Sequence, residues 1–143
     1  MSGILIALAM AQTEFRPLDN CPLIRPVTFF KDMNALTAEI KSDIVKKAGV
    51  IYPRTYKNVT LSDALGPMSK VGNVLLYVAR DKNQWLASYV YGGIAIRTVT
   101  VSYLQSQSMT TTTPYLMGAL EGDGCTAANA FLKGVSVEMG WQR

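Results

Sequence analysis

Three apolar runs separated by two short turns fill the stretch from Gly72 to Ser106, and no other part of the chain limits the fold as much. Val74–Ala79 is rich in β-branched and aromatic residues, the composition of a strand. Asp81-Lys82-Asn83-Gln84 follows as a polar turn of the kind that closes a hairpin. Trp85–Tyr91 is the return strand. Gly92-Gly93 then supplies positive φ at little steric cost, and Ile94–Leu104 runs back. Connections this short force antiparallel neighbours. The expectation is a β-meander over about residues 72–104.

Side-chain parity refines this. Val74, Leu76 and Val78 point one way, and Leu75, Tyr77 and Ala79 the other. Both faces are apolar, so the strand is expected to be covered on both sides. In the third strand Ile94 and Ile96 share one parity, whereas Val99, Val101 and Tyr103 share the other. A period of two changes phase only through an extra residue, which places a bulge or sharp bend near Arg97-Thr98, the alternative being a loop there between two shorter strands.

Around the meander the chain reads as helical in two places. Phe29, Met33, Leu36, Ile40 and Ile44 form one apolar stripe, predicting a helix over about 28–48, capped by Thr28 and stopped by Gly49. Pro114 is placed to open a short helix at Tyr115–Leu120, and Thr126–Lys133 reads as a second. Val135, Val137, Met139 and Trp141 alternate with polar or small residues, the pattern of a half-buried strand. The fold class expected is α+β. An antiparallel sheet carries one N-terminal helix, with short C-terminal helices packed on it.

A chain of 143 residues makes a single domain over 1–143, with residues 1–26 as an extended arm. Pro17, Pro22 and Pro26 keep the second half of that arm extended. Residues 1–12 carry no charge. Ile4, Ile6, Leu8 and Met10 would line the large apolar face of a strand there, and are candidate subunit-interface residues. The run is too short to span a bilayer, so no membrane span is expected. An apolar run left in water invites aggregation, so it is expected to pack on a neighbouring subunit. Only 17% of residues are charged, which suits a surface largely covered by other chains.

The chain has no histidine, which removes the usual general base and the commonest metal ligand. No glycine-rich loop joins a strand to a helix in the phosphate-binding form. Several of the acids sit in turns or on the expected helix surface, and none has metal-binding spacing. The residues imply no catalytic site, cofactor or metal. Cys21 and Cys125 either pair as a disulfide or stay buried as free thiols. The net charge of +4 permits an anionic partner. Arg80 and Arg97 lie on strands, Lys82 in a turn, and Arg54 and Lys57 among the aromatics of Tyr52–Lys57. These five are the candidate nucleic-acid contacts.

The low charge, the apolar N-terminal run and the mild basicity point to a structural, non-enzymatic subunit of a self-assembling particle. A small viral or phage coat enclosing RNA or another nucleic acid fits them together, with the virion as its location. The alternative is a secreted fibre or pilus-type subunit; a small enzyme is the weakest reading. In general plan, an antiparallel sheet followed by two short helices is similar to the coats of small RNA phages. The early helix departs from that plan and no specific motif matches, so no family is assigned.

Overall fold

A computed structural model describes residues 15, 17–18, 20–53, 59–60, 70–91, 97–106 and 113–137. In chain order the elements are β1 (Thr28–Phe30), α1 (Ala38–Ala48), β2 (Ile51–Tyr52), β3 (Val59–Thr60), β4 (Lys70–Val71), β5 (Asn73–Asp81), β6 (Gln84–Tyr91), β7 (Arg97–Leu104), β8 (Tyr115–Glu121) and α2 (Gly124–Leu132). Among the described residues six strands make the main sheet, in the order β1-β5-β6-β7-β8 with β2 also beside β5. All neighbours are antiparallel except the β2–β5 pair. β3 and β4 form a separate parallel pair. The chain is therefore α+β, a mainly antiparallel sheet with two helices.

The meander forms where its turn chemistry places it. Asp81 pairs with Gln84, leaving Lys82 and Asn83 as a two-residue hairpin turn. Lys82 takes a φ of 57°, the left-handed sign that such a turn needs at its first central position. β6 and β7 then pair without interruption from Gln84↔Leu104 to Tyr91↔Arg97.

The expected bulge near Arg97-Thr98 is a correction, since both residues pair regularly with Tyr91 and Val90. Ile94 and Ile96 lie outside the described residues. The register instead shifts in β5 between Leu75 and Tyr77. Leu76 is the extra residue, and it changes the phase of the strand. Leu75 and Val78 share the face under α1, while Leu76, Tyr77 and Ala79 share the face under α2. A second shift lies between Ser102 and Tyr103, where β8 carries the extra residue Met117.

The expected helix over 28–48 divides into three pieces. Thr28–Phe30 pairs with Val78–Arg80 as an edge strand. Met33–Ala35 is one 3-10 turn, capped by Asp32, whose carboxylate accepts from the Asn34 N–H. Only Ala38–Ala48 is α-helical, and Thr37 rather than Thr28 caps it, accepting from Ile40 N–H at 3.2 Å. Backbone pairing with β5 outweighs helical periodicity at Thr28–Phe30, and Phe29 turns to the opposite face, edge-on to Tyr77 at 5.3 Å. Gly49 ends the helix as expected.

Tyr115–Leu120 is also corrected, because it is strand β8 rather than a helix. Pairing with β7 satisfies a backbone edge that a helix there would leave bare. Gly118 is needed on two counts. Its φ is +147°, and a Cβ would come within 2.9 Å of Val137. Val137 N–H donates to the Met117 carbonyl at 2.6 Å, so the chain beyond α2 returns to this edge. The tail strand expected over Val135–Trp141 is described only to Val137, and residues 135–137 hold no regular structure.

Both faces of the sheet are covered. α1 places Leu36, Ile40 and Ile44 with Leu75, Val78, Trp85, Val101 and Tyr103. On the other face α2 places Ala128, Phe131 and Leu132 with Tyr77, Ala79, Leu86 and Met117, and the irregular stretch before β1 adds Leu18, Leu23 and Val27.

Candidate assembly surface and nucleic-acid interface

The approach to β1 is held on the body of its own chain. Cys21 and Cys125 form a disulfide across 104 residues of sequence, and no free cysteine remains. Of the two states open in the sequence, the structure has the bond. Asn129, one turn further along α2, grips the same stretch by accepting from Ile24 N–H at 2.9 Å and donating to the Pro22 carbonyl at 3.2 Å. Arg25 completes the hold. Its Nε donates to Asp81 Oδ2 and its Nη1 to the Leu132 carbonyl, both at 2.6 Å, while Nη2 reaches Gln84 Oε1 at 3.1 Å. One guanidinium thus ties the N-terminal stretch to the β5–β6 hairpin and the end of α2. Of the expected arm, residues from Cys21 onward are fixed; Ile4, Ile6, Leu8 and Met10 lie outside the described residues.

Arg25 and Gln84 had no sequence signal, because their role depends on what the fold brings beside them. Gln84 is buried and bonded on both ends of its amide. It accepts from Arg25 and donates to the Phe131 carbonyl at 2.8 Å and to Ser102 Oγ at 3.2 Å. Ser88, Thr100 and Ser102 continue a buried polar stripe under α2, with Thr100 Oγ1 donating to Ser88 Oγ at 3.1 Å. Thr100 and Ser102 alternate with Val99, Val101 and Tyr103, and their hydroxyl face is buried.

The face under α1 holds a different polar group. Tyr103 Oη donates to Asp43 Oδ2 at 2.5 Å, and Lys47 Nζ lies 2.6 Å from Asp43 Oδ1. Burial pushes the Asp43 carboxyl up, but the bonds from Lys47 and Tyr103 outweigh it and hold it below its ordinary value. Burial, then the Asp43 carboxylate, pushes Tyr103 well above the usual phenol range.

The cation candidates are spread rather than gathered. Arg80 stacks over Trp85 and Arg97 over Tyr91, each 5.2 Å from the ring centroid. Trp85 and Tyr91 stand near opposite ends of β6, so the two arginines mark opposite ends of the sheet. Lys82 is exposed at the hairpin tip next to Arg80, whose Nε donates to the Lys82 carbonyl at 2.9 Å. Arg97 also meets Glu121 at 3.4 Å, both half-exposed. Arg54 and Lys57 lie outside the described residues. Among the described residues no group of three or more acidic, cysteine or histidine side chains converges, and no helix is long and apolar enough to cross a membrane.

No protein-family model, no curated protein and no solved structure matches this chain.

Proposed function

We propose that this chain is a structural, non-enzymatic subunit of a self-assembling particle, best read as a small viral or phage coat enclosing nucleic acid. The observation that carries the reading is the covalent hold on the root of the N-terminal run. The disulfide, Arg25 and Asn129 fix residues 21–25 against α2, so the uncharged residues 1–12 are delivered from a defined point on the body. A run of that composition must be covered to stay soluble, and a copy of the same chain is always at hand. Static light scattering of the purified chain tests this. A defined particle far above the 15.6 kDa chain mass is expected, and deletion of residues 1–11 should abolish it. A full-length chain that stays monomeric at every concentration would end the proposal.

Nucleic acid is proposed as the cargo, met by Arg80, Lys82 and Arg97, with Arg54 and Lys57 as further contacts. Affinity for RNA should fall steeply as salt rises, since phosphate contacts release counterions. The disulfide also favours a second reading, a secreted fibre or pilus-type subunit, because such bonds persist in extracellular settings and on virion surfaces alike. An open-ended filament without nucleic acid would select it.

A further inference from the structure

Charge is not spread evenly along the sheet. At the end that carries the β5–β6 turn, cations from three parts of the chain are linked by contacts. Arg80 Nε donates to the Lys82 carbonyl at 2.9 Å. Asp81 lies between those two in the chain, and Arg25 Nε donates to its Oδ2 at 2.6 Å. Arg25 Nη1 reaches the Leu132 carbonyl at 2.6 Å, which brings the exposed Lys133 to the same end. The acid in this group is Asp81, and Arg25 already pairs with it. The Asp81 side chain is 15% exposed against 44% for Arg25, so the group turns positive charge outward. The bonds to Asp81, Leu132 and Gln84 take three of the five guanidinium N–H donors, and among the described residues two remain. The far end differs. Arg97 meets Glu121 at 3.4 Å and shares a cleft with Asp123, so its charge is offset.

The turn end also carries an exposed aromatic. Tyr115 pairs with Leu104, which pairs with Gln84 beside the turn. Two strand spacings, roughly 10 Å, separate Tyr115 from Gln84. Tyr115 is 57% exposed, and its hydroxyl lies 3.2 Å from Ser136 Oγ, which limits where the ring can turn. An aromatic ring beside a group of cations suits single-stranded nucleic acid, whose bases stack on rings while cations track the phosphates. Roughly 10 Å is about three nucleotides of a stacked strand. A duplex keeps its bases paired inside and would leave the ring unused.

We propose that the β5–β6 turn end is the primary phosphate site, where Arg25, Arg80, Lys82 and Lys133 hold the backbone of a single-stranded nucleic acid and Tyr115 stacks one base. This rests on the nucleic-acid reading above. It moves weight from Arg97 to Arg25 and Lys133, and chooses a single strand over a duplex. The test is fluorescence anisotropy of the full chain, dilute enough to keep copies apart, with a labelled oligouridylate and an RNA duplex of equal length. Lys82→Gln combined with Lys133→Gln alters two exposed side chains and leaves Arg25 in place. It should weaken oligouridylate binding about 25-fold at about 0.1 M salt, and lower the slope of log affinity against log salt by about 1.4, the share of two phosphate contacts. Arg97→Gln should change both far less. Unchanged affinity in the double variant, or an equal loss in Arg97→Gln, would overturn this end while leaving nucleic acid as the cargo. Tyr115→Leu should weaken oligouridylate binding at least about fivefold, the low end for one stacked base, and leave duplex binding unchanged. Equal losses on the two probes, or tighter binding of the duplex by the unaltered chain, would overturn the single strand. Failure of the unaltered chain to bind either probe at low salt would remove the cargo reading and this site with it.

Discussion

The two faces of the sheet are covered by different means. Under α1 the contact is apolar, with Ile40 and Ile44 fully buried against Leu75, Val78 and Val101. Its polar contacts are the Tyr103–Asp43–Lys47 group, the bond from Thr37 to Gln105, and Asn73, whose amide donates to the Ala48 carbonyl at 3.0 Å. Under α2 the sheet presents Gln84, Ser88, Thr100 and Ser102, all buried. Hydroxyls give little hydrophobic gain, so a cover over them needs other attachments. The cover there is held by a disulfide, the three-way Arg25 contact and the two Asn129 bonds. Both faces bury an apolar cluster and carry named hydrogen bonds, but only the cover under α2 is held by a covalent bond.

If that contrast is right, the largest effect comes from the disulfide. Replacing both cysteines by serine, or reducing the bond, frees a loop closed over 104 residues. A loss of roughly 2–5 kcal/mol is expected from denaturant melts. The loss should be uneven. Amides of residues 20–30 and of α2 should exchange faster with solvent deuterium, while those of α1 hold. Equal loss on both helices would show that the two covers are not independent.

The β5–β7 meander was legible in the sequence because its signals are local. The Asp81–Gln84 turn and the runs of apolar residues act over a few residues, as pairing does in a meander. What was misread depended on distant partners. Phe29 continues the stripe of Leu36 and Ile40, yet Thr28–Phe30 pairs with Val78–Arg80, some 50 residues away. Pro114 suits a helix start, but the bare edge of β7 recruits the residues after it. The shift at Leu76 has no local mark, since Val74–Ala79 is apolar at every position. For the candidate site, the cysteines could be named but not joined. Arg25 and Gln84 carried no signal at all, because their partners come together only in the folded chain.

Alkaline titration gives a smaller effect that touches both faces. Burial raises the Tyr77 hydroxyl from 10 to about 12, and Tyr103 is raised as well. Below pH 10 both tyrosines are neutral in the folded and unfolded chain, so the stability they confer is fully present. Between pH 10 and 12 the unfolded chain releases these protons and the folded chain keeps them, so stability falls as pH rises. For Tyr77 the fall amounts to about 3 kcal/mol. The denaturation midpoint should drop across that window, and phenolate absorbance should appear together with unfolding. On the acid side the depressed Asp43 works the other way. Its contribution is present above the ordinary carboxylate value and is lost as pH falls through the lower folded value.

The smallest effect separates the faces most sharply, since each buries one tyrosine hydroxyl and only one of these bonds a carboxylate. Tyr103→Phe removes the donor to Asp43 and leaves Lys47 as the carboxylate's partner. A cost of about 1–2 kcal/mol is expected, in the range for a hydrogen bond to a charged group near solvent. A double-mutant cycle with Asp43→Asn should return about 1 kcal/mol of coupling, because the two side chains touch. Tyr77→Phe removes a hydroxyl that has the Ser88 and Thr100 hydroxyls as neighbours but no hydrogen bond of good geometry, while keeping the ring against Phe29. In melts run dilute enough to keep copies apart, it should change stability by less than about 0.5 kcal/mol, or raise it, because an unsatisfied buried group is deleted. Equal costs for the two substitutions would mean that Tyr77 finds a partner inside its own chain. The contrast between the faces would then reduce to the disulfide alone.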